Sequence, residues 1–243
     1  MVSRRRRCGA SPTSFTLKWL SDDAPACFSP SPRAIKVVAL KNHLDLECEI
    51  CVVDYFRGEQ TRPEFARLNP NQRQPVLEDG EWTLWESNAI LFYLAAKKPD
   101  AGLYPDRARD QADVMRWLFW EGAHWDPACD VLITERVKKA FLRVRESGRR
   151  TGGQSEAPQP PDPQRVAEGE KWVGELAGIL DAHLADRPWL VGDKPSIADF
   201  ALGAWIPSAA RVGLPLAGCD AIDSWYERVA ALPGWRESLP CPM

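Results

Sequence analysis

Residues 69–95 read NPNQRQPVLEDGEWTLWESNAILFYLA, and the spacing of their apolar positions decides the fold. Gln74-Pro75-Val76-Leu77 is a short apolar run after a polar turn. Glu78-Asp79-Gly80-Glu81 is a hairpin signal, because Asp-Gly supplies the positive φ values that tight turns need. Trp82 and Leu84 then alternate with polar neighbours, as a second strand does. After Ser87 the period changes, and Ile90, Leu91, Leu94 and Ala95 share one face of a helix. The window therefore predicts strand, hairpin, strand and helix, with Ser87 at the helix start. Two features exceed what such a unit needs. Pro75 heads a strand, where proline cannot donate to the ladder. A cis peptide bond before it would turn the backbone of Gln74 outward, presenting its N–H and C=O to a guest. Glu86-Ser87 falls at a helix N-terminus, where free N–H groups and the dipole attract a carboxylate. A guest with a peptide-like middle and a carboxylate at one end fits both.

Toward the N-terminus, Phe15 to Leu20 alternates and reads as a first strand. Ser21 to Phe28 reads as a loop, with Asp22, Asp23 and Pro25 as turn formers. Ser29-Pro30-Ser31-Pro32-Arg33 opens a helix predicted to run to about Asn42, with Ser29 as N-cap and Pro30 at the first helical position. Cys48 to Asp54 is a second strand, and Pro63 to Leu68 a short helix. Strand–helix–strand–helix–strand–strand–helix is the thioredoxin-like order, so residues 15–98 are expected to form an α/β domain. Residues 99–106 carry Pro99, Gly102 and Pro105 and read as a linker. From residue 107 the strand patterns stop, so 107–240 is expected to be an all-α helical bundle. A long helix carrying Val114, Trp117, Leu118 and Glu121 continues to about Glu146, with a break near Asp126-Pro127. Residues 147–163, SGRRTGGQSEAPQPPDP, read as a mobile loop. Gln164 to Ala185 forms another helix. Ser196-Ile197-Ala198-Asp199 has the form of a capping box, and Asp220 to Leu232 is a last helix before Pro233-Gly234.

Composition narrows the function classes. The chain has 243 residues, room for one large or two small domains, and 44% hydrophobic residues, enough for a real core. Its formal net charge of −3 makes no electrostatic case for nucleic acid. No apolar run has the length of a membrane span. Seven unpatterned cysteines argue against a disulfide scaffold. Cys48 and Cys51 form a Cys-x-x-Cys pair inside a strand pattern, without two further ligands for a metal. Residues 1–14, with Arg4 to Arg7, read as a disordered basic tail on a cytoplasmic protein, or as part of an organellar transit peptide.

The window from Gln74-Pro75-Val76 to Trp85-Glu86-Ser87-Asn88-Ala89-Ile90 resembles the glutathione-binding segment of the glutathione S-transferase superfamily, with its cis-proline and Glu-Ser pair. The resemblance extends from about Phe15 to Leu239 and includes the superfamily's capping motif at Ser196 to Asp199. It implies glutathione as co-substrate, no metal, a two-fold homodimer, and attack of the glutathione thiolate on a hydrophobic electrophile. By the same resemblance, the backbone of Gln74 pairs with the cysteinyl unit. Glu86 meets the γ-glutamyl ammonium and Ser87 its carboxylate. Gln60 and Arg73 lie near the glycyl end, or are solvated surface. Asp113 and Arg116 line the cleft or a dimer contact, or a solvated helix face. Trp117, Trp120 and His124, with Trp125, wall the electrophile pocket, or are core.

Such chemistry needs a thiolate near neutral pH. Lowering a thiol from ~8.5 to about 6.5 takes roughly 2.7 kcal/mol of preferential binding to the anion. A donated hydroxyl supplies roughly 1.5–3 kcal/mol, and a helix N-terminus up to about 1 kcal/mol. Ser29, four residues before Arg33, resembles the activating serine of theta-like and many bacterial transferases; Ser31 is the alternative register. Cys27 is the rival. Near a helix N-terminus its thiol would ionise and form a mixed disulfide with glutathione, which resembles the omega-like thiol transferases and dehydroascorbate reductases. A third reading, from another class, is a non-catalytic transferase-like interaction module such as that of elongation-factor gamma subunits.

Overall fold

A computed structural model describes residues 15–20, 31–53, 58–139 and 159–239 of the chain. The basic tail, Cys27, Ser29 and residues 147–158 of the expected loop lie outside the described residues. Strands β1 (Phe15–Leu20), β2 (Cys48–Val53), β3 (Val76–Asp79) and β4 (Trp82–Trp85) form one sheet in the order β2-β1-β3-β4. β1 and β2 are parallel, with Phe15 opposite Cys48, while β3 runs antiparallel to both β1 and β4. Gly80 takes φ +62 in the two-residue turn between β3 and β4, where a side chain would be strained. Cys48 and Cys51 lie three apart on β2 and so point to opposite faces.

Helix α1 spans Pro32–His43 with Ser31 at the N-cap. The start expected at Ser29-Pro30 is thereby corrected by two residues. A residue before proline is driven out of the helical region, and Ser31 takes φ −57, ψ 136. Pro32, which has no N–H to waste, then occupies the first helical position. α2 (Pro63–Leu68) and α3 (Ser87–Lys97) complete this half. The face predicted for α3 is the buried one: Ile90, Leu91 and Leu94 are fully buried and Ala95 nearly so.

The second half is helical. The long helix runs as α4 (Ala108–Trp120), a π-turn at Glu121–Trp125, α5 (Asp126–Ile133) and a second π-turn at Thr134–Lys138. The expected break at Asp126-Pro127 is thus a widened turn, not an interruption. Pro127 removes one ladder hydrogen bond and crowds the turn before it, and the π-turn gives that ring room. α6 (Pro163–Leu184) follows, with Asp162 accepting from the N–H groups of Gln164 and Arg165. α7 (Ile197–Gly203), α8 (Ile206–Val212) and α9 (Asp220–Ala230) complete it. α1 packs on α3 and α7, so one core runs through both halves.

The capping box at α7 is present and extended. Asp199, fully buried, accepts from the N–H of Ser196 at 2.8 Å and its hydroxyl at 3.0 Å, from Leu190 N–H at 3.0 Å and from Trp225 Nε1 at 2.8 Å. One carboxylate therefore ties the start of α7, the loop before it and α9. Replacing Asp199 with Ala leaves buried donors unmet, at a cost of roughly 3 kcal/mol. Urea denaturation should show that loss. A midpoint within experimental error of the wild type would contradict it.

Candidate functional site

A cavity of about 800 Å³ opens between the two halves. Its first wall is the turn before β3 and the start of α3. The buried Asn69 side chain folds the turn: Nδ2 donates to Arg73 O at 2.6 Å, while Oδ1 accepts from Asn71 N at 2.9 Å and Asn71 Nδ2 at 3.1 Å. This delivers Arg73 and Gln74 to the cavity. The Gln74–Pro75 peptide bond is cis. Glu86 is the N-cap of α3 at φ +72, ψ 110, and its carbonyl accepts from Ile90 N–H at 3.0 Å. A non-glycine residue held there costs on the order of 1–3 kcal/mol, a strain that collects at functional sites. Ser87, the first helical residue, is buried. All of these residues line the cavity, with Asn88 beside them.

The floor is a buried ion pair. Lys36 on α1 and Glu121 at the end of α4 are each 1% exposed. Lys36 Nζ donates to both Glu121 oxygens at 3.0 Å and to Asn88 Oδ1 at 2.7 Å. Glu121 also accepts from Trp205 Nε1 at 3.1 Å and Asn88 Nδ2 at 2.9 Å, and Nδ2 reaches Leu118 O at 2.8 Å. All three ammonium protons are used, which an ion pair needs in a low-dielectric interior.

The opposite wall is α5 with its flanking π-turns, and the start of α6. Arg33 near the start of α1 clasps Asp126 through two hydrogen bonds, Nε to Oδ2 at 2.7 Å and Nη2 to Oδ1, and approaches Asp130 at 3.5 Å. Burial pushes the Asp126 carboxyl up to about 6; Arg33 pulls it down and Glu121 pushes it up. Farther along, Thr134, Glu135, Lys139, Gln159, Asp162 and Arg165 line the cavity. π-turns recur at functional sites. Here they bring Glu121 and Glu135 onto the cavity wall together with residues of α5.

The structure brings together Arg73, Gln74, Pro75, Glu86 and Ser87. Gln60 is elsewhere: it is buried, its Oε1 unbonded among the described residues. Ser31 caps α1 without a side-chain hydrogen bond to the helix and is half-buried. Asp113 and Arg116 pair with each other at 3.3 Å on an exposed face. Trp117, Trp120 and His124, read as a wall of the electrophile pocket or as core, do not line this cavity. Trp117 is buried, its ring 4.6 Å from that of His183 and 5.3 Å from that of Trp120, and His124 is exposed. Cys129 is fully buried beside Asp126, and burial pushes its thiol up, so it is inert. Sequence reasoning missed Lys36, Asn69, Asn88, Asp126, Glu135, Lys139 and Arg165. Asn69 and Asn88, both inside the window 69–95, carried a positional signal.

The family model described as "Glutathione S-transferase, N-terminal domain" matches residues 28–96, and that described as "Glutathione S-transferase, C-terminal domain" matches residues 126–233. Disulfide-bond oxidoreductase YfcG of Escherichia coli (strain K12) is 30% identical over 220 residues, 87% of this chain and 92% of that protein. Glutathione S-transferase 3 of Zea mays is 32% identical over 218 residues, 86% of this chain and 89% of that protein. Among solved structures, the theta class glutathione S-transferase of the citrus canker pathogen Xanthomonas axonopodis pv. citri, with glutathione bound, superposes with a TM-score of 0.73 at 26% identity, over 94% of this chain and 98% of the other.

Removing Lys36 strands the Glu121 carboxylate in the interior. Lys36→Met should cost about 3–5 kcal/mol. Adding Glu121→Leu to it should recover most of that loss, because no charge then stays buried. Chemical denaturation of the four proteins of the cycle measures both; simple additivity of the two single changes would refute the coupling.

Proposed function

We propose that this chain, which belongs to the glutathione S-transferase family through both of its domains, binds glutathione along the first wall of the cavity and presents its thiolate to a second substrate in the remainder. One observation carries the reading: the cis Gln74–Pro75 unit and the N-terminus of α3 line the same cavity. The Gln74 backbone suits the tripeptide's middle. The Ser87 hydroxyl and the open N–H groups of α3 suit the γ-glutamyl carboxylate, and Glu86 suits its ammonium. Arg73, exposed at the rim, suits the glycyl carboxylate.

The thiol loses its proton to solvent, and a hydroxyl near the start of α1 donates to the resulting anion. The sulfur then bonds to an electrophilic carbon while the leaving group departs with its electron pair. Ser29 is our first choice for that hydroxyl and Ser31 the second. A second reading is thiol–disulfide exchange, in which the Cys27 thiolate attacks a disulfide sulfur of a glutathione-bearing disulfide, forms a mixed disulfide and displaces the other half as a thiolate. The naming of the Escherichia coli relative as a disulfide-bond oxidoreductase supports it, and Cys27 would be its nucleophile. We further propose a homodimer. Phe92 on α3 and Phe119 on α4 are 42% and 68% exposed, and pairing the first domain of one copy with the helical domain of the other would cover them.

Glutathione should bind by calorimetry, and Ser87→Ala should weaken it about tenfold. Ser29→Ala should remove about ten- to a hundredfold of the conjugation rate at neutral pH, partly restored at higher pH, while leaving affinity intact. A dead Cys27→Ser with an active Ser29→Ala moves the chain to disulfide exchange. No binding at millimolar glutathione overturns both readings. Sedimentation should give a dimer; a species near the chain mass of 27.3 kDa at micromolar concentration would contradict it.

A further inference from the structure

Most residues lining the part of the cavity left for the second substrate carry polar or charged side chains; Pro127 and Val131 are apolar exceptions on the α5 side. Its acceptors are already engaged. Glu135, 2% exposed, takes Lys139 Nζ at 2.5 Å, Arg165 Nε at 3.2 Å and the Asp162 N–H at 2.9 Å. Asp162 Oδ1 takes the N–H groups of Gln164 and Arg165 at 2.9 and 3.5 Å. Asp130 is held by Lys138 at 2.5 Å, with Arg33 at 3.5 Å. The donors are not exhausted. Arg165, its side chain 57% exposed, approaches Glu135 with Nε in an ion pair at 3.2 Å, and the Nη edge of the guanidinium makes no contact with a carboxylate among the described residues. Lys139, its side chain 17% exposed, stands beside it in an ion pair with the same carboxylate. Glu135 therefore acts as a clamp that aligns two cations rather than as an acceptor for a ligand.

We infer that Arg165 and Lys139, aligned by the buried Glu135, bind a carboxylate on the second substrate, so that the molecule meeting the glutathione sulfur is an organic acid. This rests on the glutathione reading above. A guanidinium fork beside an ammonium matches a carboxylate in both shape and charge. A neutral apolar ring in the same space would strip water from Arg165, Lys139 and Thr134 without returning hydrogen bonds.

Two S-substituted glutathiones test this, because the tripeptide anchors both and only the sulfur substituent differs. Calorimetry should find S-(4-carboxybenzyl)glutathione bound about tenfold more tightly than S-benzylglutathione. Arg165→Gln should abolish that preference while leaving the affinity for glutathione itself unchanged, which also shows that the variant is folded; Arg165→Lys should restore part of it. Equal affinities for the two compounds, or tighter binding of the benzyl form, with glutathione still bound, overturn the inference and leave the glutathione reading standing. A chain that binds none of the three overturns both.

Discussion

The contact between Lys36 and Glu121 joins the two halves of the molecule at the point where the cavity forms. Their mutual attraction has to outweigh the loss of water from two full charges, and in that balance a buried ion pair yields little net stability. What it yields is position. The pair holds α1 of the first half against the end of α4 in the second, and Asn88 bridges both. Asn88 adjoins Ser87, so the network that docks the halves also fixes the start of α3. Trp205, just before α8, completes it from the far side.

Around that floor the walls are cross-linked, and Trp117, Trp120 and His124 lie outside the cavity. Arg33 clasps Asp126 and Glu135 gathers Lys139, Arg165 and the Asp162 N–H. The cavity therefore carries fixed charges on both of its walls. A wall of this kind discriminates by hydrogen-bond geometry, since any guest must replace the water it displaces.

Elements whose signal is local were legible in the sequence. The hairpin at Gly80, the buried face of α3 and the short α2 each follow from a period or a turn residue within a few positions. The start of α1 was misread because two prolines two apart offer two registers, and only the backbone before Pro32 decides between them. On the first cavity wall, Arg73, Gln74, Pro75, Glu86 and Ser87 fall inside or beside one short window, which is why they could be read together. The opposite wall could not. Asp126, Glu135 and Lys139 follow one another along one long helix, but Arg33 and Arg165 come from two others and meet them only through packing. A search for a period of 3.6 residues also cannot see a π-turn, so the long helix was read as broken near Asp126-Pro127.

The π-turn at Glu121–Trp125 also makes chain length adjustable at that place. It holds one residue more than an α-helical turn would. The widened turn carries the chain through about the same angle as an α-helical turn one residue shorter, so the extra residue is absorbed where it sits. Deleting one residue inside the turn would restore regular winding while Asp126 and α5 kept their facing to Arg33 and the first half. A residue lost from α4 or α5 has no such slack and would rotate everything beyond it by about 100°. Along this helix, slack in the count of residues is confined to the turn.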